Sequence, residues 1–347
     1  MSSRLTPVVV VADAAIERGS RIGASGTDPT GSGVPPTEVK LRDRLQRFLQ
    51  AYWLRPENAF WMTLRSEVLR PCPRAHPSID VSCGDGVFSF LHGGGVFDPD
   101  FDVFQSVAGL DGVRAEHADM FDHISEDFQP DITAPPVDPF DVGTDAKPSM
   151  LAKAERLSCY GRLVEHDNNN PLPFEDHSFQ TVYCNAAYWV ENIDGFLSEL
   201  RRITRPGGSI ILHVKLDSMR RFTLDAHRSR LGDRFLDVIG RGRMETWPSL
   251  ADRSTWESRF LAAALRVHSA TAFVTRTHAH VWDIGLRPIA PLLVRMTQSL
   301  APATRSSIKR EWVDLFCNLL EPLCHFSFDL FGAEEEPAEI QYVLTPG

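Results

Sequence analysis

Hydrophobic residues along this chain change their spacing several times, and each change marks a predicted element. Leu41, Leu45, Phe48, Leu49 and Tyr52 recur at three- and four-residue intervals, which puts them on one helical face. A second helix is predicted from Pro56, a residue suited to a first turn. Residues 78–90 read as a short apolar run, two glycines and a new apolar run, the pattern of strand, tight turn and helix start. From residue 140 the two spacings alternate. They predict strands over 140–145, 163–167, 179–185 and 209–215, and helices over 148–157 and 193–204. Pro206, Gly207 and Gly208 break the second of these helices. Strand and helix in this alternation predict an α/β fold, a doubly wound and mostly parallel sheet with helices on both faces.

Further on, the periodicity gives a helix over 256–265, a strand over 266–275, helices over 284–300 and 304–320, and a closing antiparallel strand over 340–344. On this reading 78–280 and 337–347 form the core, 37–77 are N-terminal helices, and 281–336 are a helical insertion in the final hairpin. Two stretches follow neither period. Residues 1–36 are rich in Gly, Pro, Ser and Thr and are expected to be a disordered leader. Residues 93–140 mix Asp and Pro with Phe97, Phe101, Phe104, Phe121 and Phe128, which predicts an ordered acidic insertion acting as a lid over part of the active site.

Charge sharpens this division. The chain has 347 residues and a net charge of −10, yet between Asp98 and Asp145 there are 13 acidic residues against one Arg. Residues 215–310 carry 17 Lys and Arg against 8 Asp and Glu. An acidic total without a basic stripe argues against nucleic-acid binding, while the basic part leaves room for a small anionic substrate. No apolar run reaches the ~18 residues of a membrane helix, so no integral membrane segment is expected and a cytoplasmic location is. The six cysteines match neither a zinc spacing nor a disulfide framework and read as buried thiols; no metal site is expected. His278 and His280 read as part of an exposed turn.

The turn reads Asp80-x-Ser82-x-Gly84-x-Gly86. It resembles the acidic-x-Gly-x-Gly-x-Gly turn of the class I S-adenosylmethionine-dependent methyltransferases, and the chain is similar to their type 11 group. Residues 171–179, Pro-Leu-Pro-Phe-Glu-Asp-His-Ser-Phe, resemble that family's lead into its fourth strand, and 196–212 resemble the helix, Pro-Gly-Gly turn and fifth strand that follow. The resemblance implies a seven-stranded Rossmann-like sheet with insertions and added helices, and S-adenosyl-L-methionine as cofactor. Gln180 departs from the usual Asp, and Ser82 stands where the family has glycine, which a negative φ would accommodate.

In such a sheet the ligand lies beyond the carboxyl ends of the strands, where strand order reverses. Asp145 closes the second predicted strand, where its carboxylate can accept from a ribose diol, with Ala146 beside it. Asp167 and Asn168 follow the third strand and are placed for the adenine edge, and Asn185 follows the fourth, near the amino-acid end or the methyl group. The resemblance implies that Asp80 orients the turn or meets the cofactor's amino group through water. Methyl transfer chiefly needs alignment of the reactants; His213 and Glu191 are the candidates for a general base. The implied reaction is methyl transfer to a small-molecule, sugar or lipid-linked acceptor, at oxygen, with Arg220 to Arg243 placed to hold an anionic group on it. A nicotinamide-dependent oxidoreductase, suggested by Gly84-x-Gly86-x-x-Ser89, and a catalytically silent binding protein of the same fold are the competing readings.

Overall fold

The computed structural model describes residues 40–106, 120–122, 124–125, 128–240, 244–325 and 336–347. The leader, and with it that expectation, lies outside the described residues. The chain opens with helices α1 (Leu41–Ala51) and α2 (Pro56–Leu69), then enters strand β1 (Ser78–Val81), the glycine turn and helix α3 (Val87–His92). A small antiparallel pair follows, β2 (Val96–Phe97) with β3 (Ile132–Ala134). The alternating part comprises β4 (Phe140–Asp145), α4 (Pro148–Glu155), β5 (Tyr160–Glu165), β6 (Phe179–Cys184), α5 (Ile193–Ile203) and β7 (Thr204–Lys215). Short helical turns lead to α6 (Arg253–Ala262) and β8 (Leu265–Val274). Helices α7 (Arg276–Ile284), α8 (Ala290–Gln298) and α9 (Pro302–Leu320) precede the final strand, β9 (Glu339–Pro346).

Seven strands form one sheet in the order β5-β4-β1-β6-β7-β9-β8. All pair in parallel except β9, which runs antiparallel to both β7 and β8. Strand order therefore reverses between β1 and β6, and the carboxyl ends of β1, β4, β6 and β7 share an edge with the start of β9. Along β7 alternate residues face opposite ways. Ile211 points into the core beneath α1, α2 and α3, whereas Ile210, Leu212 and Val214 point into the core beneath α5 and α6.

The starts of β5 and β7 differ most from the periodicity. β5 begins at Tyr160, before the apolar Leu163-Val164 pair, because Tyr160 pairs with Phe140 and its hydroxyl reaches Asp80. It ends at Glu165, where the carbonyl of Asp167 accepts from the Asn170 N–H and turns the chain. β7 begins at Thr204, directly after α5, so the Pro-Gly-Gly segment lies within the strand, with Gly207 at a φ of +76° and a register shift against β6. His278 is fully buried inside α7, where it completes a capping box with Thr275 and bonds the Leu323 carbonyl; it is not in an exposed turn.

The described part of 93–140 is anchored from inside. Phe90, Phe97, Phe101 and Phe128 stack in series at 4.4, 4.5 and 5.8 Å between ring centres. Asp102, fully buried, accepts from Trp53 Nε1 at 2.8 Å and from Arg305 of α9 at 2.6 Å. Lys309 donates to the carbonyls of Pro99 and Phe101, and burial pushes its pKa down to about 8. A buried carboxylate needs such partners, and here one comes from the link between α1 and α2 and the other from α9. Phe101, Val103, Ser106 and Phe128 line a small cavity together with Asp85 and Val87 of the glycine turn.

Candidate active site

β1 delivers the chain into a turn in which Ser82, Gly84 and Gly86 have φ of +63°, +60° and +77°. Ser82 thus adopts the left-handed conformation that its replacement of glycine was expected to avoid; a non-glycine residue there bears about 1 kcal/mol or more of strain. Its hydroxyl accepts from Asn168 Nδ2 at 2.7 Å, tying the turn to the loop after β5. The two glycines serve different ends. A Cβ on Gly86 would lie 3.1 Å from both Ala154 Cβ and Tyr160 Cε2, whereas a Cβ on Gly84 would meet nothing within 4 Å. Gly86 lets α4 and β5 pack closely, and Gly84 leaves an open approach to the backbone.

Asp145 is at the carboxyl end of β4, beside this approach. Its Oδ2 accepts from the Gly84 N–H at 3.0 Å and its Oδ1 from the Lys147 N–H at 2.9 Å. Burial raises its pKa, against the pull of these bonds. Asp80 is buried one register pair behind the turn and accepts from Ser89 Oγ at 2.5 Å and Tyr160 Oη at 2.8 Å. Burial pushes its pKa up to about 6, with the two hydroxyls opposing. Asp80 therefore fastens the turn to α3 and β5 from within.

The other expected residues divide. Asn168 is half-buried, and its Oδ1 has no hydrogen-bond partner. Ala146 is exposed beside Asp145. Asp167 is exposed and accepts from the Asn169 backbone and side chain, so it shapes the turn that presents Asn168. Asn185 is half-buried at the end of β6 and donates to Tyr183 Oη at 3.3 Å. Glu191 is exposed, with its N–H on Asn169 Oδ1. His213 does not reach the edge. It is fully buried, its Nε2 on Gln341 Oε1 at 2.9 Å, and its ring lies between Tyr183 and Phe273. Burial pushes its pKa down to about 3. The strand continues for two more residues, so the tip is Lys215 and the imidazole belongs to the core.

That tip carries a cluster that no local pattern in the sequence assembles. Lys215 and Glu339 are cross-strand partners on β7 and β9. Arg65 of α2 donates to Glu339 Oε1 at 2.7 Å and to Tyr188 Oη at 3.3 Å. The Lys215 ammonium rests 3.7 Å above the centre of the Tyr188 ring. All four residues are buried. A strand-tip lysine was visible in the sequence, but its partners come from elements far along the chain. Of the arginines of 220–243, Arg220 donates to the Trp247 carbonyl and Arg228 pairs with Asp225 and Asp233, while Arg241 and Arg243 lie outside the described residues.

The residues at the glycine turn fit the cofactor implied by the resemblance. An open backbone approach at Gly84, a carboxylate with unused lone pairs and an unpartnered amide oxygen on Asn168 converge at the point where strand order reverses. Among the described residues no group of His, Cys, Asp and Glu is arranged to hold a metal, and no helix is long and apolar enough to cross a membrane.

Residues 141–212 match the model of a family described as a methyltransferase domain. The chain is 33% identical over 90 residues to a demethylmenaquinone methyltransferase of Tropheryma whipplei, covering 25% of this chain and 36% of that protein. It is 38% identical over 74 residues to a malonyl-[acyl-carrier protein] O-methyltransferase of Pectobacterium atrosepticum, covering 21% and 29%. The chain thus spans about a third of the length of these curated relatives. Among solved structures, a methyltransferase dependent on S-adenosylmethionine from Thermotoga maritima aligns over 89% of this chain and 100% of that one, with TM-score 0.44 and 10% identity. Another, from Mesorhizobium loti, aligns over 81% and 97%, with TM-score 0.39 and 13% identity.

Proposed function

We propose that this chain, a class I methyltransferase by its domain, transfers a methyl group from S-adenosyl-L-methionine to a small-molecule, sugar or lipid-linked acceptor, at oxygen. The observation that carries the reading is Asp145. Its carboxylate closes β4 and grips the Gly84 N–H, so the strand tip and the glycine turn form one cradle. Within that cradle Asp145 is placed to accept from the two ribose hydroxyls, Asn168 offers its unpartnered Oδ1 to the adenine amino group, and Gly84 lets the backbone approach. Asp80 and Tyr160 hold the turn from behind. The cofactor supplies a methyl group on a sulfonium; the chain's own part is to align that group with an acceptor over the β6 and β7 tips and to exclude water. The name of one relative, an O-methyltransferase, supports oxygen as the acceptor atom.

Calorimetry with S-adenosylmethionine, its demethylated product and NAD tests the reading. Micromolar binding of the first two and none of NAD is expected. Binding of NAD alone would favour the oxidoreductase reading, and binding of the methyl donor without transfer to any acceptor would favour a silent binding protein.

A further inference from the structure

The cluster of Arg65, Tyr188, Lys215 and Glu339 lies at the same edge as the cofactor cradle, over the half of the sheet that the cradle leaves uncovered. It places two cations about a single phenol. Arg65 donates to the phenol oxygen at 3.3 Å, and Lys215 lies on the ring face at 3.7 Å. Glu339, fully buried, engages Arg65 through Oε1 while its Oε2 has no hydrogen-bond partner. Two buried cations against one carboxylate leave a positive excess beside Tyr188, and a buried excess of this kind favours an anion at the phenol oxygen. Tyr188 itself keeps 7% of its surface exposed, and Trp189, the next residue, 51%.

We propose that Tyr188 takes the proton from the acceptor during methyl transfer, and that the acceptor therefore bears a phenolic or enolic hydroxyl. The inference rests on the methyltransferase reading. As the acceptor O–H bond breaks, its proton passes to the Tyr188 phenolate. The acceptor oxygen forms its new bond to the methyl carbon, and the electron pair of the broken carbon–sulfur bond stays on sulfur. Tyr188 then returns the proton to solvent. Arg65 and Lys215 are positioning residues that hold the phenolate.

The charged groups facing the phenol set its acidity. Burial raises its pKa, but Lys215 and Arg65 more than offset that and hold it below the usual value of 10, against the opposing Glu339. Lys215 itself is pushed down by burial and by Arg65 and Arg287, and drawn up by Tyr188 and Glu339. Proton transfer works best between groups of matched acidity. Phenols and enols ionise near the range of Tyr188; an aliphatic hydroxyl, like water, ionises many units higher.

The test does not depend on knowing the acceptor. The chain has five tyrosines, and burial raises the pKa of the other four, Tyr52, Tyr160, Tyr183 and Tyr342. A pH titration of tyrosinate absorbance on the full chain is expected to show one tyrosine ionising below 10, a step missing in Tyr188→Phe, moved upward in Lys215→Met and restored in Lys215→Arg. The proposal is overturned if no early step exists or if it survives in Tyr188→Phe. Transfer of labelled methyl from S-adenosylmethionine to a panel of simple phenols, enolisable diketones, sugars and amines supplies the second arm. Label on phenols or enols is expected, with a loss of about 10²- to 10⁴-fold in Tyr188→Phe at unchanged cofactor affinity. Label on sugars or amines alone overturns the acceptor class. Failure of the wild type to bind S-adenosylmethionine, read separately by calorimetry, overturns the parent reading and the proposal with it.

Discussion

The two halves of the sheet edge are built by different means. Around β1, β4 and β5 the cradle is held by single neutral or singly charged hydrogen bonds between neighbouring strand tips, such as Gly84 N–H to Asp145 and Asn168 to Ser82. Around β6, β7 and β9 the edge is held by buried charges drawn from α2 and from the final strand. The first half leaves polar atoms open for a ligand and carries backbone strain at Ser82; the second uses its charges on one another and on a phenol. One half is shaped to bind, and the other holds charge where a proton can move.

The sharpest way to break this contrast is at Glu339. Glu339→Gln strands the Arg65 guanidinium in the core and is expected to cost about 3–5 kcal/mol of stability in urea unfolding. It should also move the Tyr188 ionisation further down while leaving affinity for S-adenosylmethionine unchanged; an equal loss of cofactor affinity would show that the halves are not separable. Asp145→Ala should do the reverse, weakening S-adenosylmethionine binding about 100-fold, about 3 kcal/mol, in calorimetry without moving the Tyr188 step.

His213 gives a smaller and pH-dependent effect. Its folded pKa of about 3 is depressed below the ordinary 6.5, so the unfolded chain binds the extra proton and stability falls as pH drops through 6.5. Between pH 7 and 5 this amounts to about 2 kcal/mol, and thermal unfolding of His213→Gln should show a correspondingly flatter pH dependence than the wild type. The smallest effect belongs to the turn. Ser82→Gly relieves a left-handed serine and should raise stability by about 1 kcal/mol, while S-adenosylmethionine binding weakens several-fold because Asn168 loses its anchor.

The same contrast explains what the sequence could disclose. Asp145, the glycines and the strand-helix alternation were legible because each depends on neighbours within a short stretch, and periodicity and turn chemistry are local signals. His213 was misplaced because a strand prediction locates the tip only to within a couple of residues, and two residues separate a core imidazole from an edge ammonium. Arg65, Tyr188 and Glu339 could not be joined at all, since nothing local links residue 65 to residues 188 and 339. The β2–β3 pair, whose two strands are far apart in the chain, and the buried Asp102, whose partners are Trp53 and Arg305, were hidden for the same reason.

β9 lies between β7 and β8 yet follows both in the chain. During synthesis, which delivers upstream segments first, β8 therefore emerges with no edge to join, and a lane one strand wide stays vacant beside β7. Until residues 339–346 arrive to fill it, Arg65 and Lys215 have no carboxylate between them. The proton-handling corner of the molecule is thus the last to be assembled, and it cannot exist in a chain whose sheet is still open.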